Sequence, residues 1–365
     1  LKILFLFFTM NIFATPLLYQ QNGIWVLHLH GTPYEMGFQH GQLLKDKIHA
    51  NISNYIENES NAIERALSFQ PYIPRLLKHI PQKYIEEMHG IADGAGIPFK
   101  KIVLLNLFPE MFHCSGVIVS QNATKDGSLY HVRILDYNVG KHLQKSAILM
   151  IVEPDKAIPF LNVSYAGFIG TVTGMNQQKI AIGEIGGKGH GHWDGMPMSF
   201  LLRMILENAH SLEEAKEILS STKRTCEYFY LISDGKSNDS FAVLATHDHL
   251  QMIMPGEEYS LEDLEKTVHL HFENPPHSLA LTGFSNPERH EVLKERLMQH
   301  LGLLDEILLQ KIIQAPVAKE DNLHTAIFHP SSLRVWIAHA GPNDEPAYSQ
   351  TYHCFSLEEE LRVCL

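Results

Sequence analysis

Cysteine is scarce: 365 residues hold four, Cys114, Cys226, Cys354 and Cys364. None stands in a C-x-x-C pair, so the chain lacks the signature of a disulfide framework, a redox pair or a structural zinc site. Charge is sparse too, at 19% of residues, and positive charge is the scarcer kind, with 29 Lys and Arg against 41 Asp and Glu for a net −12. No basic stripe relieves this acidity, which argues against a nucleic-acid partner, because a phosphate backbone is bound by clustered cations. The H-E-x-x-H spacing of a helical metal site is missing, and Gly186-Gly187-Lys188-Gly189 lacks the Ser or Thr that follows the lysine of a phosphate-binding loop. No cofactor motif is left. Long apolar runs are missing as well, since the one from Ile3 to Met10, continued by Ile12, Phe13 and Ala14, is short for a stable membrane span.

What is present is an ordinary globular composition, 45% hydrophobic with 24 Gly and 18 Pro spread along the chain. The length suits about two domains, or one large layered domain with an added segment. Lys2, the apolar run and the stop at Thr15-Pro16 follow the pattern of an export signal over residues 1–20, without a clean A-x-A cleavage site. The expected location is therefore periplasmic or secreted, and a buried first strand is the other reading of the same run.

Residues 33 to about 111 carry apolar positions at three- and four-residue spacing, among them Met36, Leu43, Ile48, Met88 and Ile91, which predicts helices. From Gly116 the texture becomes β: Val117–Val119, Leu129–Ile134, Ala147–Val152, Phe160–Tyr165 and Lys179–Ile182, with Asp126-Gly127 as a hairpin turn. Two helices follow, Met198–Ala209 and Leu212–Leu219, the second opened by Ser211 with Glu214 three residues on. Strands resume at Tyr228–Ser233 and Ser240–Ala245. A second helix pair covers Asn286–Leu301 and Leu304–Gln314, and strands return near His324–Phe328, Leu333–His339 and Tyr352–Phe355. This order predicts an α+β protein with sheets stacked between helical layers.

Cys114 sits where the helical part gives way to the first of these strands. A thiol there is a nucleophile if a cation is near and a small buried hydrophobe if not. Arg133 and Asp136 lie on the next strand, three residues apart and so on opposite faces of an ideal strand. The 23 histidines include the H-x-H pairs His28/His30, His190/His192, His247/His249 and His269/His271, which invite a metal, but we expect solvated or internally bonded imidazoles and no metal. Gly183 to Gly195 is glycine-rich enough to form a mobile lid over a pocket.

The stretch from Cys114 to Asn138, CSGVIVSQNATKDGSLYHVRILDYN, resembles the start of the mature chain in cysteine N-terminal-nucleophile (Ntn) hydrolases: choloylglycine hydrolases, acid ceramidase-like amidases and penicillin acyltransferase-like peptidases. Gly31-Thr32-Pro33-Tyr34-Glu35-Met36-Gly37-Phe38-Gln39-His40-Gly41 is similar to the G-x-P-x-E-x-G-x-x-x-G signature of the penicillin acyltransferase-like branch. Gly174-Met175-Asn176 looks like the family's G-x-N turn. The resemblance implies a four-layer αββα sandwich over 114–365 preceded by a helical pro-segment over 21–113. It also implies self-cleavage before Cys114, after which the two pieces stay associated. Cys114 is then nucleophile and, through its new α-amine, base; Arg133 lowers the thiol pKa; Asp136 holds the amine. Asn176 and a later asparagine, Asn274 or else Asn286, bind the oxyanion. The implied reaction cleaves or transfers the acyl group of a small N-acyl compound through a thioester. Two positions depart from the family pattern: His113 stands where penicillin acyltransferases carry Gly, and Ile134 where an Asn is usual. An exported, non-catalytic scaffold that binds an acyl compound or lipid on the same fold is the alternative.

Overall fold

The computed structural model describes residues 17–57, 71–107, 113–187, 189, 191–263, 268–282 and 287–363. β1 (Leu17–Gln21) and β2 (Ile24–Gly31) lead into α1 (Pro33–Leu43), α2 (Lys45–Ile52), α3 (Ile73–Leu77), α4 (Gln82–Ala95) and α5 (Phe99–Leu107). Strands β3 (His113–Val119), β4 (Tyr130–Asp136), β5 (Ala147–Pro154), β6 (Phe160–Tyr165), β7 (Thr173–Asn176) and β8 (Ile180–Gly186) come next. After α6 (Met198–Asn208) and α7 (Leu212–Ser221) run β9 (Tyr228–Asp234), β10 (Asp239–Ala245), β11 (Leu250–Ile253), β12 (Tyr259–Asp263), β13 (Val268–Phe272) and β14 (Ser278–Leu281). The helices α8 (Pro287–Gln299) and α9 (Glu306–Ile312) precede β15 (Asn322–His329), β16 (Arg334–His339), β17 (His353–Ser356) and α10 (Leu357–Val363).

Strand alternation sorts these elements into layers. Leu149 and Ile151 of β5 point one way, joining Leu161, Val163, Met175, Ala326, Phe328, Val335 and Ile337 in a core between two sheets. Ile148 and Met150 point the other way, onto Leu201, Leu202 and Ile205 of α6 and onto Ile48, Met88 and Ile91 of the front helices. The far face of the second sheet carries Val117, Val132 and Ile327 against Leu293, Leu297, Leu309 and Ile312 of α8 and α9. Each such fully buried side chain contributes about 1.5–3 kcal/mol, so the three apolar seams together hold the stack. The first sheet runs β1-β2-β5-β6-β7-β8-β9-β10-β11, the second β14-β3-β4-β15-β16-β17, and the pair His113↔Gly186 joins them. The architecture is the expected four-layer αββα sandwich.

The front segment is not purely helical: β1 and β2 extend the first sheet, β2 pairing in parallel with β5. Leu17–Gln20, the end of the segment read as an export signal, lies within β1; residues 1–16 lie outside the described residues. No helix among the described residues is long and apolar enough to cross a membrane. The Gly31–Gly41 signature has a structural explanation. Thr32 caps α1 in a reciprocal capping box with Glu35, and Pro33 occupies the first turn, where its missing N–H costs nothing. Gly37 and Gly41 let α1 cross α4 backbone to backbone: a Cβ on Gly37 would stand 1.9 Å from the carbonyl oxygen of Glu87, and one on Gly90 of α4 2.2 Å from that of Tyr34.

The front segment is also fastened through one buried cation. Arg203 on α6 is paired at 2.7 Å with Glu87 on α4 and at 2.8 Å with Glu207, while Tyr84 donates to Glu207 at 2.9 Å.

Candidate active site

In the β3–β4 ladder Cys114 stands opposite Leu135 and Gly116 opposite Arg133, so the Cys114 and Arg133 side chains share the face that looks between the sheets. β8 passes over this face with Gly183 at the crossing, where a Cβ would lie 2.9 Å from Cγ of Arg133. The absent side chain leaves room for the arginine stem. Arg133 Nη2 donates to Sγ of Cys114 at 2.8 Å and to Oε2 of Glu184 at 2.9 Å, and its Nε donates to the Glu184 carbonyl at 3.1 Å. All three residues are buried, Cys114 at 1% exposure.

Burial governs the protonation of this group. It pushes the Cys114 thiol well above its ordinary value; Arg133 pulls it back, Glu184 and Asp136 push it further up, and the intact chain holds a neutral thiol. Burial likewise raises the Glu184 carboxyl to about 7, against the pull of Arg133. Two buried atoms here, Nη1 of Arg133 and Oε1 of Glu184, have no hydrogen-bond partner among the described residues. Such orphans are costly in a protein interior.

Asp136, on the opposite face as strand geometry requires, pairs with Arg289 of α8. Nη2 of Arg289 reaches Asp136 Oδ2 at 2.6 Å and Ser115 Oγ at 2.7 Å, and the Lys319 N–H donates to Oδ1 at 3.2 Å. Burial raises the Asp136 pKa, Arg289 opposing it. In register Asp136 faces His113, the residue that ends in the peptide bond before Cys114. The structure thus brings Cys114 and Arg133 together with Glu184 on one face of the hairpin, and sets Asp136 with Arg289 on the other.

It does not bring Asn176 or Asn274 to Cys114. Asn176 Nδ2 donates to the carbonyls of Leu206 and Ala209 at 2.9 Å each, and its Oδ1 accepts the Ile180 N–H at 2.9 Å. It fastens the β7–β8 turn to the end of α6. Six strand steps separate Ile180 from Gly186, so this turn is roughly 20 Å from the Cys114 end of β8. Asn274 donates to the Glu257 carbonyl and accepts the Ala280 N–H, both at 2.7 Å, clamping the turn before β14. Asn286 lies outside the described residues.

The glycine-rich stretch is not a free lid. Gly183–Gly186 belong to β8, and Gly187, Gly191 and Gly195 press against the backbone of Glu227, Cys226 and Arg224, where any Cβ would approach to 2.2–2.4 Å. Asp194 is tied to His79 at 2.8 Å and to Lys223 at 2.6 Å. Lys188 and His190 lie outside the described residues. Of the paired histidines, His28 bonds Glu360 at 3.0 Å, His247 lies 3.5 Å from Asp248, and His271 lies 3.3 Å from Glu258 in an exposed group with Glu273, which Lys294 pairs.

Glu184 and Arg289 escape sequence reasoning for different causes. The strand read at Lys179–Ile182 stops two residues short of Glu184; a carboxylate amid Ile182, Gly183, Ile185 and Gly186 is the signal that points to it. Arg289 reads as one more charge on a polar helix, because its partner Asp136 is 153 residues away.

A family model for acyl-coenzyme A:6-aminopenicillanic acid acyl-transferase matches residues 123–344, more than half of the chain, and so includes Arg133, Asp136, Glu184 and Arg289. Protein dcd1A of Dictyostelium discoideum is 27% identical over 89% of this chain and 81% of its own length. Acid ceramidase of Rattus norvegicus is 28% identical over 47% of this chain, which spans 49% of that protein. An N-acylethanolamine-hydrolyzing acid amidase ortholog from Caenorhabditis elegans overlays on 66% of this chain and 100% of its own, with 16% identity and a TM-score of 0.47. With the family model spanning most of both sheets and the outer helix pair, the chain belongs to the acyl-coenzyme A:6-aminopenicillanic acid acyl-transferase family.

Proposed function

We propose that Cys114 is the nucleophile of an amide hydrolase or acyltransferase acting on small N-acyl compounds, and that it becomes competent when the His113–Cys114 bond is cleaved. The observation that carries this reading is the Arg133 guanidinium, 2.8 Å from Sγ and clamped by Glu184 among buried side chains. Membership in an acyl-transferase family and similarity to acid ceramidase support the substrate class.

In the uncut chain burial keeps the Cys114 thiol neutral, with Arg133 pulling its pKa down and Glu184 pushing it up. Cleavage frees the Cys114 α-amine, whose intrinsic pKa of about 7.7–8 suits a general base at neutral pH. The amine takes the thiol proton, Sγ attacks the substrate carbonyl, and a tetrahedral oxyanion forms. We assign Nη1 of Arg133 as a donor to that oxyanion in place of Asn176 and Asn274, an interaction worth about 3–4 kcal/mol in comparable sites. Collapse breaks the C–N bond, the leaving amine takes the proton back, and a thioester remains. Water or a second amine, deprotonated by the α-amine, then releases the acyl group. Asp136, held by Arg289 and facing His113, serves to orient the new ammonium.

The deciding measurement is the intact mass of the purified chain beside Cys114→Ala. Two fragments that meet between His113 and Cys114, absent in the variant and accompanied by release of an amine from an N-acyl panel, are expected. An uncut chain without turnover favours the non-catalytic acyl-binding scaffold. Export belongs to the same proposal and is read by cell fractionation.

A further inference from the structure

A second cavity opens away from Cys114, between the β1–β2 hairpin of the first sheet and the β16–β17 ladder of the second. Its volume is about 450 Å³, within the range of small-molecule sites. Apart from Lys145, the polar side chains around it are amides, a hydroxyl and imidazoles: Asn22 and Thr351 at the rim, Gln144, Gln350, His339 and His353 deeper. No carboxylate lines it.

The inner wall holds polar atoms that the protein leaves unused. Gln144 is 8% exposed, and its Nε2 is fixed by the Val139 carbonyl and by Asp344 at 2.9 and 2.8 Å. Its Oε1 has no partner among the described residues, and neither ring nitrogen of His339 has one. Burial pushes His339 down to about 4, so at neutral pH the imidazole offers one N–H donor and one acceptor. An anion is disfavoured by Gln144 Oε1, and an ammonium by the Lys145 cation. Groups that both donate and accept suit all three atoms.

We infer that this cavity is a binding site for an uncharged polyhydroxylated ligand of sugar size, its hydroxyls bonding Gln144 Oε1 and the His339 ring after small side-chain rotations. The site is separate from the Cys114 centre. Cys114, Leu135, His324 and His339 stand in one row across β3, β4, β15 and β16, and three interstrand steps of about 4.8 Å put the ends roughly 14 Å apart. The inference does not rest on cleavage or on turnover.

The test is saturation-transfer NMR on the full chain, with D-glucose as the free sugar and octyl β-D-glucopyranoside as its lipid-like form, each at about 10 mM against the roughly millimolar Kd of weak sugar sites. Ring-proton saturation is expected, with Kd raised about tenfold in Gln144→Leu and in His339→Phe and unchanged in Cys114→Ala. Saturation by both probes identifies the sugar itself as the ligand; ring saturation by the glucoside alone assigns the site to a sugar-bearing lipid headgroup. No ring saturation with either probe, saturation confined to the octyl chain, or equal binding by both wall variants overturns the inference. Should a wall variant fail to give a cooperative melt, Gln350→Ala replaces it, with about threefold weakening expected and unchanged binding counting against the site.

Discussion

At the scale of single residues, the Cys114 centre is a buried charge problem. Arg133 and Glu184 pair at 2.9 Å with both side chains fully buried, and removing either leaves the other to bear its desolvation cost. Arg133→Gln should destabilise the Cys114→Ala background by about 3–5 kcal/mol, and Glu184→Gln added to it should recover most of that loss. The sign of the pH dependence follows from Glu184. Its folded-state pKa is raised, to about 7, so the folded chain holds the proton more tightly and stability falls as pH rises from about 4.5 toward 7. Without Arg133 the folded pKa climbs further, and the penalty at pH 8 should exceed that at pH 6 by up to about 1.4 kcal/mol per unit, read from urea melts. A penalty independent of pH would mean that Glu184 is not the group left uncompensated. In the mechanism proposed above, Arg133→Lys keeps the charge but loses the fork that reaches Sγ and Glu184 together, and kcat should drop about 100-fold or more. Only part of this was legible beforehand. Cys114, Arg133 and Asp136 stand out through the resemblance of Cys114–Asn138 to the start of the mature chain in cysteine Ntn hydrolases. Asn176 misled because a Gly-x-Asn turn looks alike whether its amide faces a substrate or, as here, three backbone groups.

At the scale of elements, the long runs were readable and the short ones were not. β3 to β6 show as apolar runs between turn residues, and α6 and α7 as amphipathic helices. β7 is four residues in a glycine-rich stretch, too short for period-two alternation to register, and β11 to β14 are also only four or five residues each. The Gly31–Gly41 signature was legible as a pattern but not as a helix crossing, because its partner glycines sit some fifty residues away on α4. That crossing makes a sharp prediction. Gly37→Ala drives a methyl group into the Glu87 carbonyl and should cost more than the ~1–3 kcal/mol of ordinary overpacking. Gly127→Ala, at φ +76° with nothing within 4 Å of the new carbon, should cost about 1 kcal/mol. Denaturant midpoints with matched m-values decide between them, and equal losses would refute the close crossing.

At the scale of the whole molecule, the histidines set the response to acid. Burial pushes His40 and His131 down to about 3, His339 to about 4 and His324 well below its ordinary value. Each is neutral when folded and takes a proton near 6.5 when unfolded, so each contributes stability that is full above 6.5 and lost as pH falls toward its folded value. Glu87, Glu184 and Asp136, raised by burial, act in the opposite sense, Glu184 as pH rises to about 7. The two sets oppose each other there. Below about pH 4 the unfolded carboxyls are already protonated, the opposition ends, and Asp194, held down to about 2 by Lys223 and His79, adds to the loss. The loss of stability with acid should be shallower between about pH 6.5 and 4.5 than below about 4; a slope between those first two values as steep as that below about 4 in equilibrium urea melts would contradict this opposition. None of it is visible in a count of 23 histidines, since only the fold decides which of them burial lowers, His290 and His329 among them.

The parallel pairing of β2 with β5 bears on how the chain is made. Trp25 meets Ile148 and Gly31 meets Pro154, contacts that close a loop of more than a hundred residues. During synthesis α1 to α5 leave the ribosome before most of the first sheet beneath them exists. Their apolar faces stay open until β5 and β6 emerge, at the pace of translation, about 5–20 residues per second. Nascent chains halted before residue 147 should therefore be digested quickly by protease, and chains halted past α6 slowly: assembly waits for the middle of the message, and the first third of the protein spends several seconds in need of a chaperone.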